Sequence, residues 1–206
     1  MRAVRRGAPP PALGSLLGVA PDRTWSSDGE GEVHDAIRDG LRSAQHRICA
    51  YCERPVPTGG RVEHVHPKSL PACLPRYSNN PGYDWDNLLL VCGATSHCDG
   101  PKGDLHLCDS VLFPDEMVRE GQYFSINSLT GKISAYDELE PAVRLRVSGA
   151  IDELRLNDPD LKAMRVRVIG IVRDELETHG DLALARHRAS VTGGFVSTIA
   201  AYLDPC

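Results

Sequence analysis

Two groups of residues in this chain have the types and spacing to do chemistry, and both fall between residues 49 and 104. The first is made of thiols. CAYC places Cys49 and Cys52 in a CxxC knuckle, in which one turn presents two sulfurs to one ion. Forty residues on, CGATSHC supplies Cys92 and Cys98, and four thiolates make a closed tetrahedral zinc site. The second pair is CxxxxxC, so His97 competes with Cys98 for the fourth position. Cys73, Cys108 and Cys206 have no partner at ligand spacing and are read as structural or incidental. The second group is polar: Glu63, His64 and His66 in RVEHVHPKS, Asn87 in DWDNLLLVC, and Asp99 and Lys102 in HCDGPKGD. Two histidines one residue apart after a glutamate admit zinc ligation, a catalytic centre or a polar strand edge.

The elements that must hold these residues are legible in part. Residues 1–28, rich in Pro and Gly, read as an extended lead-in, and Val33, Ala36, Ile37, Leu41 and Ala44 repeat at helical spacing from Glu30 onward. Residues 49–108 carry Pro and Gly punctuation and few periodic runs, which suits a module organised around an ion. Trp85 is expected to anchor the core of that module. Gln122–Tyr136 alternates around a Thr-Gly turn and predicts a hairpin. Beyond Pro141 the chain turns helical. An apolar stripe of Leu161, Met164, Val168, Ile171, Val172 and Leu176 follows the Asp-Pro start at 158–159, with its arginines on a solvated or partner-facing side. A last, Gly-interrupted helix covers roughly 191–203. The expected fold class is α+β, with three segments: an N-terminal segment 1–48, a zinc-stapled module 49–108 and a hairpin-plus-helix region 109–206 suited to docking a partner.

The order CAYCE, RVEHVHPKS, DWDNLLLVC, HCDGPKGD resembles the HNH (ββα-metal) endonucleases. It is similar above all to the HNH proteins of bacterial anti-phage systems of the Septu and retron-associated type. MRAVRRGAPP at the start, and Leu154–Asn157 followed by Leu161 and Arg165, extend the likeness over most of the chain. The resemblance implies a ββα-metal module that hydrolyses nucleic-acid phosphodiester bonds, DNA in preference to RNA. It implies His64 as the base, since a neutral imidazole can take a proton from water near neutral pH. Glu63 and Asp99 would be ligands of a catalytic Mg²⁺ or Mn²⁺, being hard oxygen donors. Asn87 would brace the centre, and Lys102, Lys68, Arg61 and His66 would meet the substrate. A partner ATPase of the ABC/SMC-like kind is implied as well. Two departures stand out: Glu replaces the usual Asp before the first His, and Asp replaces the usual His or Asn at the end. Neither removes a donor.

The bulk numbers set the surroundings of this reading. A net charge of −5 and a pI near 5.9 are unlike an autonomous nucleic-acid binder, so phosphate binding has to rest on a local basic patch or a partner. An odd count of 7 cysteines fits metal ligation in a reducing compartment better than closed disulfides. The prolines of the start argue against a signal peptide, and no apolar run reaches the ~18 residues of a membrane span, so the cytoplasm is expected. Two other functions are compatible with the same residues. A zinc-stabilised adaptor with a degenerate HNH centre would keep the cysteines and lose the chemistry, while a redox CxxC protein would bind no zinc.

Overall fold

The computed structural model of the chain describes residues 1–25, 31–68, 80–107, 109–118, 123–185, 187 and 194–203. Cys73, Cys108 and Cys206 lie outside them. The architecture is mixed α+β, with two small antiparallel sheets among helices. None of the described helices is long and apolar enough to cross a membrane.

The lead-in differs from its extended expectation: helix α1 runs Pro11–Val19. Prolines block a helix interior, but in the first turn the missing N–H is not needed, so PPPALGSLL starts a helix rather than preventing one. Its Leu13 is buried, and Leu16 and Leu17 pack against the same core. Helix α2, Glu32–Ala44, buries His34, Ile37 and Leu41 at helical spacing.

Strands β1 (Arg61–His64) and β2 (Leu88–Val91) form the first sheet, with Glu63 opposite Leu89 and His64 opposite Leu88. All four residues of β2 are buried, because helices and loops cover both of its faces. A 3-10 turn, Trp85–Asn87, leads into β2, and Asp84 caps it by accepting from the Asp86 amide. Trp85 is buried as expected and donates through Nε1 to the Gly7 carbonyl (3.1 Å). The four-residue helix α3, Asp99–Lys102, follows the second cysteine pair.

Strands β3 (Phe124–Ile126) and β4 (Ile133–Ala135) are the expected hairpin, closed by Gly131 at φ +67°. Helices α4 (Pro141–Glu153) and α5 (Pro159–His179) follow, and α6 spans Val196–Leu203. On α5 the buried positions are Leu161, Arg165, Val168, Ile169 and Val172. Arg165 therefore leaves the solvated face: it donates to the Gly131 and Leu156 carbonyls (3.2 and 2.7 Å) and sits 5.8 Å over the Phe195 ring. One apolar core runs through all three segments, from Met1 and Val4 through the cysteines to Phe195 and Ile199.

A polar clasp closes this core. The Met1 ammonium pairs with Glu53 at 2.7 Å, both fully enclosed, and Ser197 donates to the same carboxylate through its amide (2.8 Å) and its hydroxyl. Burial alone would raise the Glu53 pKa, but the Met1 charge and the Ser197 hydrogen bonds outweigh it and hold the group below the usual range. Gly194 has φ +68°, and the Glu53 carbonyl sits where a Cβ would be, so only glycine fits there.

Candidate metal centre and adjoining polar site

The four cysteines of the two pairs converge. Cys49 and Cys52 come from the knuckle after α2, Cys92 from the end of β2, and Cys98 from the residue before α3. Their sulfurs all lie within 4.8 Å of one another, with Cys49–Cys98 and Cys52–Cys92 both at 3.9 Å. A tetrahedral ion with metal–sulfur bonds of about 2.3 Å requires sulfur–sulfur edges of about 3.8 Å, so the spacing fits one ion such as zinc. His97 is not among the ligands. Its Nδ1 lies 3.1 Å from the Cys98 sulfur and 4.0 Å from that of Cys92, where it can hydrogen-bond to the sulfurs.

The local backbone serves this convergence. Cys98 adopts φ +62°, unusual for a residue with a Cβ, and its amide donates to the Leu154 carbonyl at 2.9 Å. Burial pushes the Cys52 and Cys98 thiols up, while Cys92 goes down because the neighbouring thiols hydrogen-bond to its sulfur. A bound dication would let all four ionise, which links metal binding to proton release.

The polar site adjoins this centre through Tyr51, the residue inside the knuckle. Its hydroxyl reaches Glu63 Oε1 at 3.4 Å, and burial together with that carboxylate pushes its own pKa well up. Glu63 is 6% exposed and pairs with the Lys102 ammonium at 2.5 Å. Asp99, at the start of α3, hydrogen-bonds to Glu63 and pairs with Arg61 at 3.1 Å. Burial pushes Glu63 up to about 8; the Lys102 ammonium opposes that rise and the Asp99 carboxyl adds to it. The two expected metal ligands are thus brought together, each already facing a cation of the chain.

Lys102 corrects one expectation. It is 1% exposed, and its ammonium is given to Glu63 and to the His64 carbonyl (2.9 Å), so it is not available to a phosphate. Burying an ammonium requires such partners, and here they tie α3 to β1. His66 corrects another. It is 1% exposed, its ring lies 5.6 Å from Phe113, and its backbone is clamped by Asn87, so it belongs to the core rather than to a substrate surface. Arg61 and Lys68 are exposed.

His64 is 9% exposed, with Nε2 at 3.0 Å from the Gly82 carbonyl. A carbonyl only accepts, so Nε2 carries the proton and Nδ1 keeps its lone pair. Burial pulls the His64 pKa down to about 4; the Gly82 carbonyl opposes this, and Lys68 and Lys102 reinforce it. The imidazole is neutral at pH 7. Trp25 meets it edge-on at 4.9 Å while stacking on His34 at 4.2 Å, and His34 bonds the Tyr83 hydroxyl at 3.0 Å. Asn87, wholly buried, does not face a substrate. Its amide donates to the His66 and Pro81 carbonyls (3.0 and 2.9 Å) and accepts from the His66 amide (2.9 Å). It is a positioning residue, fixing the turn whose Gly82 carbonyl orients His64.

Sequence reasoning missed Tyr51, Trp25, His34, Tyr83 and Asp104, whose carboxylate lies near enough to His64 to favour its charged form. Only Tyr51 and Asp104 carried a signal, one inside CAYC and the other ending KGD. Compared with known proteins, the chain matches no protein-family model and no curated protein.

Proposed function

We propose that the chain is a zinc-stapled, HNH-type endonuclease that hydrolyses nucleic-acid phosphodiester bonds with the help of a divalent ion. The observation that carries this reading is the neutral His64, its Nε2 proton tied to Gly82 and its Nδ1 unprotonated, next in sequence to Glu63, which hydrogen-bonds with Asp99. In this reading His64 Nδ1 takes the proton from the attacking water, and Asn87 and Trp25 keep the ring in place. Glu63 and Asp99 fit Mg²⁺ or Mn²⁺ as oxygen donors, the remaining positions going to water and phosphate. That ion would neutralise charge on the phosphate and the departing oxygen. At Glu63 it would take over the charge-balancing place that Lys102 holds. Lys68 and Arg61, both exposed, are the cations left for phosphate oxygens. Zinc belongs to Cys49, Cys52, Cys92 and Cys98.

The acidic balance, −5, supports a nuclease that captures substrate weakly alone and works with a partner. We assign the partner role to an ABC/SMC-like ATPase in a cytoplasmic anti-phage complex, with DNA as the favoured substrate. The exposed Leu129 and Leu145 of the hairpin and α4 are available for docking. Purified protein with and without such an ATPase, assayed on DNA and RNA with Mg²⁺ or Mn²⁺, tests this. His64→Ala should abolish cutting while zinc content and folding stay intact. Unchanged biological activity of that variant would sink the enzyme reading and leave the zinc-stabilised adaptor.

A further inference from the structure

The chain is acidic as a whole, yet residues 38–61 run the other way. They hold five arginines (38, 42, 47, 54, 61) against Asp39 and Glu53, with Arg38 and Arg61 also paired to Asp35 and Asp99 from outside the stretch. Glu53 is buried in the clasp with Met1, so it does not offset the surface charge. A groove of about 530 Å³ opens on this surface, lined by Asp39, Arg42, Ser43, His46, Arg47 and Pro57. Its carboxylate, Asp39, is already paired with Arg42. His46 and Arg47 are both exposed.

The backbone at this groove is unusual. His46 and Arg47 are consecutive non-glycine residues in the left-handed region, at φ +53° and +61°. Each such residue costs roughly 1–2 kcal/mol relative to a right-handed turn. The turn ends α2 abruptly and sets the His46 and Arg47 side chains on the groove wall. Arg42 is braced from below by a 2.9 Å bond to the Gly59 carbonyl, two residues before Arg61. Arg61 in turn faces Asp99 of the polar site. The rise along β1 from Arg61 to His64 is about 10 Å, at roughly 3.3 Å per residue. Arg61 and Glu63 alternate onto the same face of that strand.

We infer that the Arg42–His46–Arg47 groove is a docking track for a nucleic-acid phosphodiester backbone, continued by Arg61 toward Glu63 and Asp99. It rests on the nuclease reading for its direction, since the track leads to the carboxylates proposed to hold the divalent ion. The contacts are to phosphate, so they are sequence-independent and screened by salt. They give an acidic protein a local handle on a polyanion, and arginine suits the role through its bidentate geometry.

The test measures equilibrium binding of the full chain to a labelled DNA duplex and the matching RNA duplex by anisotropy, without added divalent ion, over a series of salt concentrations. Arg47→Ala should lower the slope of log affinity against log salt by about 0.9, one phosphate contact. That corresponds to about an eightfold loss at 0.1 M relative to 1 M salt. Arg47→Lys should keep most of the slope. Arg173→Ala, which removes an exposed arginine on α5, should leave it unchanged. An unchanged slope in Arg47→Ala, an equal fall in Arg173→Ala, or no affinity of the wild type for either duplex overturns the track. Intact His64-dependent cutting with an unchanged Arg47→Ala slope would remove the track alone. Arg47-dependent binding without cutting would remove the nuclease reading alone.

Discussion

Asn87 offers the sharpest test of how the polar site is held. It makes three hydrogen bonds of 2.9–3.0 Å, all to backbone, from a fully buried position. Asn87→Ala deletes them and strands the His66 amide, the His66 carbonyl and the Pro81 carbonyl. At roughly 1–1.5 kcal/mol for each bond, with part of the stranded groups' desolvation added, the loss is about 3–5 kcal/mol. For a chain of this size that lowers the melting temperature by roughly 10 °C, at about 2–4 °C per kcal/mol. Asn87→Asp keeps the acceptor facing the His66 amide but turns a carboxylate oxygen toward two carbonyls. That raises its pKa, so the folded state binds a proton the unfolded state does not, and stability rises as pH falls. The expected order at pH 7 is wild type, Ala, then Asp, with Asp overtaking Ala near pH 5. Denaturant melts at constant zinc and two pH values measure it. Asn87→Ala within 1 kcal/mol of the wild type, or no pH dependence for Asp, would refute the clamp.

Other outcomes follow from the same contacts. Metal analysis should find one tightly held ion per chain; its removal by a chelator should cost tertiary structure, and its rebinding should release protons; an ion-free protein of unchanged fold would contradict the cysteine cluster. Lys102→Met should raise the Glu63 pKa further and destabilise by about 1–3 kcal/mol, because Glu63 and the His64 carbonyl lose a buried donor, and thermal melts read this directly. In divalent-free buffer Glu63 should cost stability as pH rises from its unfolded value toward 8: the folded state keeps its proton where the unfolded state has lost it, and Glu63→Gln should flatten that fall. His64 acts on the acid side. Its pKa near 4 means that stability present above pH 6.5 is lost as pH falls toward 4, and His64→Gln should reduce that loss in acid titrations followed by circular dichroism.

What was legible in the chain was what is local. CxxC is one turn, and the hairpin is announced by its own Thr-Gly, so both could be read without knowing the rest of the fold. The second cysteine pair was also visible, but the choice between His97 and Cys98 was not, because it turns on a left-handed backbone at Cys98 that Leu154 holds from far along the chain. Lys102 was misread for a similar reason: a lysine looks like a phosphate ligand until a buried carboxylate is found beside it. The first helix was hidden by prolines that suit only its opening turn. Trp25, His34 and Tyr83 meet around His64 from three separate stretches, and nothing in any one stretch points to the others.

The clasp at Glu53 bears on the order in which the protein is made. A ribosome delivers Met1 and the cysteine knuckle long before Ser197, which lies 144 positions after Glu53. Until Ser197 emerges, a buried carboxylate has only the Met1 ammonium to answer it. Chains released after residue 193 should therefore be cleaved rapidly by added protease where the full chain resists. The clasp thus makes closure around the knuckle depend on a segment 144 positions further along the chain.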